Sequence, residues 1–368
     1  MGRAPILSFL PPTYPPRHVY LARDRRTGDL VALKKVRAEV ERGGFPITAI
    51  REIRVLRSLA HRNVIRLREV ARSRPARSNH GKGSVYMAFD YCDSDLAGVV
   101  ADAGQAGRPL ALAHVKGVLC QLLRGVAYLH SRRPPVLHRD LKLSNLLVDA
   151  SGVLKIADLG LARPAAGEDG GRMTNRVITL WYRPPELLLG SERYGPEIDV
   201  WSAGCILAEL LTGRPLFQGA EEADQLGRIT RLFGCPTEAT WPGLERLPHA
   251  HFLETRHAAP AGGVAAALGR HLSELRAARA ATAAPDLRRG PPEPLEPSAA
   301  DLLVRMLDLC PARRASAVEC LSHPFFTAGV EPDHRLPWKK GAHELSTAER
   351  RRADRRDQSA ADARSRGR

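Results

Sequence analysis

The chain has 368 residues, 43% of them hydrophobic and 26% charged, which excludes wholesale disorder and leaves room for solvated ends. Its 56 Lys and Arg outweigh 40 Asp and Glu to give +16. No apolar run approaches the roughly 20 residues that span a bilayer, and the best, between Asp199 and Glu209, is far shorter, so no membrane association is expected.

The lysines number only eight, so the positive charge is almost all arginine. A basic surface favours polyanionic partners, but an arginine-biased composition gives the same excess with no dedicated site. Direct nucleic-acid binding is therefore not expected. The opening MGRAPILSFLPP has a five-residue apolar stretch before prolines and makes a poor secretory signal. Ile6 stands where a myristoylation motif needs Ser or Thr. The cysteines Cys92, Cys120, Cys205, Cys235, Cys310 and Cys320 form no CxxC, which fits reduced thiols in a cytosolic or nuclear protein.

Residues 1–18 are proline-rich and aperiodic. VYLA and LVALKKV then flank the turn-like RDRRTGD and predict a β-hairpin. FPITAIREIRVLRSLA places Ile47, Ile50, Ile53, Val55 and Leu56 near helical spacing and predicts an amphipathic helix. NVIRLREV and GSVYMAFDY read as two more strands. A strand-rich unit with one helix therefore covers 19–91. From 92 to 327 the pattern is mainly helical, with ALAHVKGVLCQLLRGVAYLH, DVWSAGCILAELLTG and SAADLLVRMLDLC as the clearest helices. VLHRD and KIADLG are short strand-and-loop pieces bracketing LLVD. The Ala/Gly/Pro/Arg-rich stretch 257–299 reads ambiguously, and 328–368 reads as a solvated basic tail.

The segment VLHRDLKLSNLLVD holds the densest chemistry. Phosphoryl transfer needs a carboxylate to accept a hydroxyl proton, hard oxygens for Mg²⁺, and cations on phosphates. Asp140 suits the base and Lys142 the γ-phosphate. Asn145 and, in KIADLG, Asp158 are hard oxygen ligands suited to Mg²⁺. Lys34 of VALKKV suits the α/β-phosphates if Glu52 on the following helix orients it.

In this order and spacing, the set ALKK, helix Glu, HRD-K-N, D-L-G and PPE resembles the protein-kinase family over about 19–327. The resemblance implies an α+β, two-lobed fold with a β-rich small lobe and a helical large lobe, and ATP and Mg²⁺ as cofactors. FPITAIRE and TNRVITLWYRPPELLLG narrow it to cyclin-dependent kinases. GFPITAIRE, with Ile at 47 rather than a PSTAIRE-type helix, is most similar to their transcriptional group, together with GSVYMAFDYCDSDLAGVV and ATWPGL. That group comprises the P-TEFb kinase subunit and plant C-type kinases. LPWKKGAHEL loosely matches their C-terminal extension.

The resemblance further implies a cyclin of T, K or L type docked on the Phe45–Glu52 helix, and a nuclear or also cytoplasmic location. It implies phosphorylation of Ser/Thr-Pro sites, with the RNA polymerase II repeat tail as substrate. Thr174 matches the site of an activating kinase, with Arg51, Arg139 and Arg163 as its cation pocket; the plainer reading is three surface arginines. Val19 and Ala32 would wall the adenine from above and Leu147 from below. Phe89 would be the gatekeeper, and Asp90 and Cys92 would offer hinge backbone groups. Asp95 and Ala157 complete the expected nucleotide contacts, although such side chains could equally be plain core. Ile178 and Arg183 would read the substrate proline. Thr179 would link Asp140 and Lys142, Glu186 would pair with Arg314, and Asp199 would hold the catalytic-loop backbone.

One motif is absent. The positions where a kinase carries its glycine-rich loop fall on Pro12, Tyr14 and Arg17, and the first strand is missing unless ILSFL replaces it. Three readings stay open: a lost first coding piece, a kinase with weakened nucleotide cover, or a cyclin-binding pseudokinase. D-L-G in place of D-F-G keeps Asp158.

Overall fold

The computed structural model describes residues 7–9, 19–36, 46–74, 83–105, 110–165, 172–253, 257–282 and 296–333. Strands β1 (Leu7–Phe9), β2 (Val19–Asp24), β3 (Leu30–Lys35), β4 (Leu67–Arg72) and β5 (Val85–Asp90) form one antiparallel sheet in the order β1-β2-β3-β5-β4. Helix α1 (Ile47–Arg57) lies between β3 and β4 in sequence. The expected hairpin is β2–β3. Its turn closes through Gly28, which adopts φ 79° and donates its N–H to the Asp24 carbonyl at 2.8 Å.

The sheet supplies the strand that the sequence seemed to lack. Leu7, Ser8 and Phe9 face Asp24, Arg23 and Ala22, so the small lobe begins before the expected boundary at residue 19. Pro12, Tyr14, Arg17 and Phe45 lie outside the described residues.

Register decides which side chains meet. Directly opposed residues share a face, so Tyr20, Ala22, Val31, Leu33, Tyr86 and Ala88 gather on one side and form a small separate core. Val19, Ala32, Lys34, Met87 and Phe89 take the other side, with α1 and the large lobe. Lys34 is therefore an alternation partner of Ala32 and sits directly opposite Met87.

In the large lobe, short strands β6 (Ser94–Asp95), β8 (Leu146–Val148) and β9 (Leu154–Ile156) form one sheet, and β7 (Val136–Leu137) pairs with β10 (Arg163–Pro164). Its helices are α2 (Leu96–Gln105), α3 (Leu112–His130), α4 (Pro185–Leu188), α5 (Glu197–Thr212), α6 (Glu222–Phe233), α7 (Gly263–Thr282), α8 (Pro297–Met306) and α9 (Ala317–Leu321). Helix α5 is buried from Ile198 through Thr212, as a helix apolar on all sides must be. No described helix is long and apolar enough to cross a membrane.

Helix α7 is the main element that the sequence left unread. Its apolar stripe is thin: Leu268 and Leu272 are fully buried, Ala267 is nearly so, Val264 and Leu275 are half-buried, and most of its alanines are exposed. Alanine gives helix propensity without a periodic signal. At the far end, Lys116 Nζ donates to the Ala328 carbonyl at 2.7 Å and the Asp333 amide to Ala113 O at 2.9 Å. Contacts with α3 therefore continue beyond residue 327, as far as Asp333. The segment LPWKKGAHEL and residues 334–368 lie outside the described residues.

The lobes meet at the segment after α1. Asn63 Nδ2 donates to Gln121 Oε1 at 3.1 Å and to the Leu154 carbonyl at 2.9 Å, and the Tyr128 hydroxyl of α3 accepts the Ala60 amide at 2.8 Å. Gly125 permits this approach, since a Cβ there would meet Asn63 O at 2.9 Å.

Arg314 and Glu186 form a bidentate pair at 2.7 and 2.9 Å, with side chains 0% and 3% exposed. Removing one member strands the other charge without solvent. Arg314→Ala should therefore lower the unfolding free energy by about 3–5 kcal/mol in urea denaturation, and Arg314→Lys by less.

Candidate active site

Lys34 stands between two carboxylates. Its Nζ lies 3.0 Å from Glu52 Oε1 and 2.8 Å from Asp158 Oδ1. One residue thus ties β3 to α1 in the small lobe and to the loop after β9 in the large lobe. Burial acts most strongly on the Lys34 amine and would lower its pKa, but Glu52 and Asp158 together raise it above 10.5. For Asp158, burial pushes upward and Lys34 outweighs it, leaving the carboxyl below 3.8.

Asp140 is held by four donors. Lys142 Nζ reaches Oδ2 at 2.6 Å and Asn145 Nδ2 reaches it at 3.1 Å. Thr179 donates to Oδ1 from its hydroxyl at 2.8 Å and its amide at 3.1 Å. Lys142 also donates to Thr179 Oγ1 at 2.9 Å, so the three residues close a ring. The four bonds fix the carboxylate in rotation.

Asn145 Nδ2 is committed to Asp140, including its carbonyl at 2.7 Å, which leaves the amide oxygen as the open end. The Asn145 carbonyl accepts the Ala157 amide at 2.9 Å, tying it to the residue before Asp158. Asp158 gives one oxygen to Lys34 and its side chain is half-exposed. Together they supply the hard amide and carboxylate oxygens that suit Mg²⁺. Among the described residues no group of three His, Cys, Asp or Glu could hold a metal, and this mixed pair falls outside that pattern.

The backbone beneath these groups is strained. Among the described residues, the non-glycine positions with positive φ are Arg139 (66°), Asp158 (60°) and Ile178 (66°). Each such residue costs about 1–3 kcal/mol and needs surrounding structure to hold it. Asp199 does so for Arg139: it is fully buried on α5 and accepts the amides of His138 at 2.8 Å and Arg139 at 3.0 Å. Ile178 is held by its amide on the Arg139 carbonyl at 3.0 Å. Its own carbonyl accepts from Arg183 Nε at 3.2 Å and Nη2 at 3.0 Å.

The expected nucleotide residues divide. Ala32 and Phe89 are directly opposed on the cleft face, with Val19 exposed at its rim, and Leu147 and Ala157 lie on and after β8 and β9 in the large lobe. The Asp90 carboxylate is turned to Arg68 Nε at 2.6 Å. Burial keeps the Cys92 thiol protonated, its pKa raised to about 12. Asp95 is buried, and its Oδ1 accepts the Gly98 amide at 2.8 Å, so the carboxylate caps the start of α2.

Of the expected cation pocket, the structure joins Arg139 to Thr174 through a residue the sequence did not single out. Arg139 Nη1 donates to Tyr194 OH at 3.0 Å, and that hydroxyl donates to the Thr174 carbonyl at 2.6 Å. Arg163 is near enough for its charge to act on the Tyr194 phenol. Arg51 is exposed on α1, and its side chain meets neither Thr174 nor Tyr194 in a hydrogen bond. Glu222, which pairs with Arg183, was also missed. Neither Tyr194 nor Glu222 belongs to a spaced motif; the only local signal is an aromatic beside Gly195-Pro196 in a loop leading to a buried helix.

A two-lobed fold with a lysine–carboxylate bridge across the cleft defines a class, and comparison agrees. The model of the protein kinase domain matches residues 17–326. Cyclin-dependent kinase C-1 of Oryza sativa subsp. japonica is 42% identical over 355 residues, covering 93% of this chain and 62% of that protein. Cyclin-dependent kinase 9 of Danio rerio is 42% identical over 319 residues, covering 85% and 78%. The crystal structure of the yeast RNA Pol II CTD kinase CTDK-1 complex superposes with a TM-score of 0.72 at 34% identity, over 90% of this chain and 96% of that one. The chain belongs to the protein kinase family and, within it, to the cyclin-dependent kinases. It spans 60–62% of the length of the plant relatives.

The depressed Asp158 pKa contributes stability that is complete above pH 3.8 and is lost as pH falls through the lower folded value. Lys34→Met removes the cause. The difference in urea-unfolding free energy between wild type and Lys34→Met should stay level from about pH 5 to 9 and shrink as pH drops below about 4. A pH-independent difference would show that the pair does not act through charge.

Proposed function

We propose that this chain is a cyclin-dependent serine/threonine kinase that transfers the γ-phosphate of ATP to Ser/Thr-Pro sites. The observation that carries it is the assembled Lys34–Glu52–Asp158 bridge beside an Asp140 carboxylate already fixed by Lys142 and Thr179. Lys34 would hold the α/β-phosphates, with Glu52 and Asp158 fixing the height of its amine. Asn145 and Asp158 would hold Mg²⁺, which when bound neutralises charge on the phosphate oxygens. Asp140 would accept the substrate hydroxyl proton at Oδ1 or Oδ2, and Lys142 would face the transferred phosphoryl group.

Proline selectivity follows from Ile178. Its carbonyl is satisfied by Arg183 and so offers nothing to a substrate amide. A residue after the acceptor Ser would lose a hydrogen bond on its N–H, whereas proline has none to lose.

By likeness to cyclin-dependent kinases C and 9 and to the yeast CTD kinase, the substrate we favour is the RNA polymerase II repeat tail, which implies work in the nucleus. The partner is a T-, K- or L-type cyclin on α1, whose Ile47 and Ile50 are 66% and 43% exposed. Phosphorylation of Thr174 by another kinase would activate the enzyme. The second reading, a cyclin-binding pseudokinase, rests on the absent glycine pattern at Pro12, Tyr14 and Arg17.

Radiolabel transfer by the chain with a cyclin decides between them. Asp140→Asn should lower kcat at least about 100-fold; a wild type no more active than that variant would favour the pseudokinase. Replacing Pro by Ala after the acceptor Ser should lower kcat/KM roughly tenfold or more, for an amide left unbonded at about 1–3 kcal/mol. Arg183→Ala frees the Ile178 carbonyl and should narrow that ratio.

A further inference from the structure

The Arg139 side chain is almost wholly buried, yet among the described residues the partners it bonds are neutral: Nε donates to the Leu161 carbonyl at 2.7 Å and Nη1 to the Tyr194 hydroxyl at 3.0 Å. A buried cation ordinarily takes an anionic partner. Tyr194 passes the contact on, because its hydroxyl donates to the Thr174 carbonyl at 2.6 Å. The phenol is itself buried, and burial outweighs the pull of Arg139 and Arg163, so it keeps the proton that it donates.

Arg139 is also the residue on which the site is built. Its amide is held by Asp199 and its carbonyl by the Ile178 amide. It precedes Asp140 in the chain. A loose guanidinium would therefore be felt at the base and at the substrate-facing turn together.

We propose that Tyr194 is a positioning residue that keeps this site assembled while Thr174 is unmodified, giving Arg139 a neutral acceptor and tethering the Thr174 backbone to it until a phosphate takes the guanidinium over. The proposal rests on the reading of Thr174 as a phosphorylation site. A phosphate brings nearly two negative charges and bonds arginine through two oxygens at once, so it displaces a phenol as the dominant partner. Tyr194 then matters in one state of the enzyme and not in the other. A tyrosine that only fills space matters equally in both.

Tyr194→Phe removes one oxygen and keeps the ring. In the full chain co-expressed with a T-, K- or L-type cyclin, adding Tyr194→Phe to Thr174→Ala should lower kcat/KM on a Ser-Pro peptide about tenfold, as for one hydrogen bond to a charged group. On protein fully phosphorylated at Thr174, the same change should cost less than about twofold, the two sites being coupled rather than additive. Equal losses in both states, or none in the unmodified state, would overturn the proposal. Amide hydrogen exchange of the full chain without cyclin gives an independent reading. Tyr194→Phe should speed exchange across residues 173–178 in the unmodified protein and leave the phosphorylated protein unchanged; no change in either would sink the idea. If phosphate on Thr174 fails to activate the wild type, the regulatory reading of Thr174 is wrong, and the exchange measurement on unmodified protein still decides the role of Tyr194.

Discussion

A carboxylate with no access to water holds the backbone of the loop that carries Asp140. Asp199 sits at the start of α5 with 0% exposure and accepts from His138 N, Arg139 N and His130 Nε2. Burial alone would raise its pKa, but these donors and the nearby histidines bring it below 3.8, so it stays charged. Hydrogen bonds to a charged acceptor contribute about 1.5–3 kcal/mol each, enough to hold one non-glycine residue at positive φ at about 1–3 kcal/mol. Without that carboxylate, Arg139 would relax out of its left-handed conformation and carry Asp140 with it.

From Arg139 the order spreads outward. Its carbonyl holds Ile178, a β-branched residue in a conformation such residues rarely adopt. Ile178 hands its carbonyl to Arg183, and Arg183 reaches Glu222 at the start of α6. The strained residues of the described chain are thus not scattered. Arg139 and Ile178 bond each other directly, and Asp158 meets Lys34 across the cleft.

The two lobes are joined by different physics at front and back. At the back, Asn63, Gln121 and Gly125 make a buried, neutral, close-packed junction between the segment after α1 and helix α3. At the front, Lys34 makes charged contacts that remain partly open to solvent. Neutral buried bonds resist salt and small changes of geometry, whereas exposed ion pairs are weaker and adjustable. The lobes are thus joined by a buried neutral junction behind and by partly exposed ion pairs in front.

The residue types of the candidate site were legible in the sequence because a spaced Lys, Glu, Asp-Lys-Asn and Asp is a set of groups that phosphoryl transfer would use and few other chemistries would. The sheet and the strongly periodic helices were legible for the same reason that hairpins and amphipathic stripes are: their information is local. Helix α7 was not, because alanine carries no periodic signal and only its packing against α5, α6 and α8 makes it a helix with a buried side. Tyr194 carried no signal because its work is done on Thr174 and Arg139, distant in the chain. The sequence alone determined which chemical groups this protein possesses and most of the elements that bear them; the tertiary structure alone decided which of those groups meet, because hydrogen bonds and ion pairs act over a few ångströms of space whatever the separation along the chain.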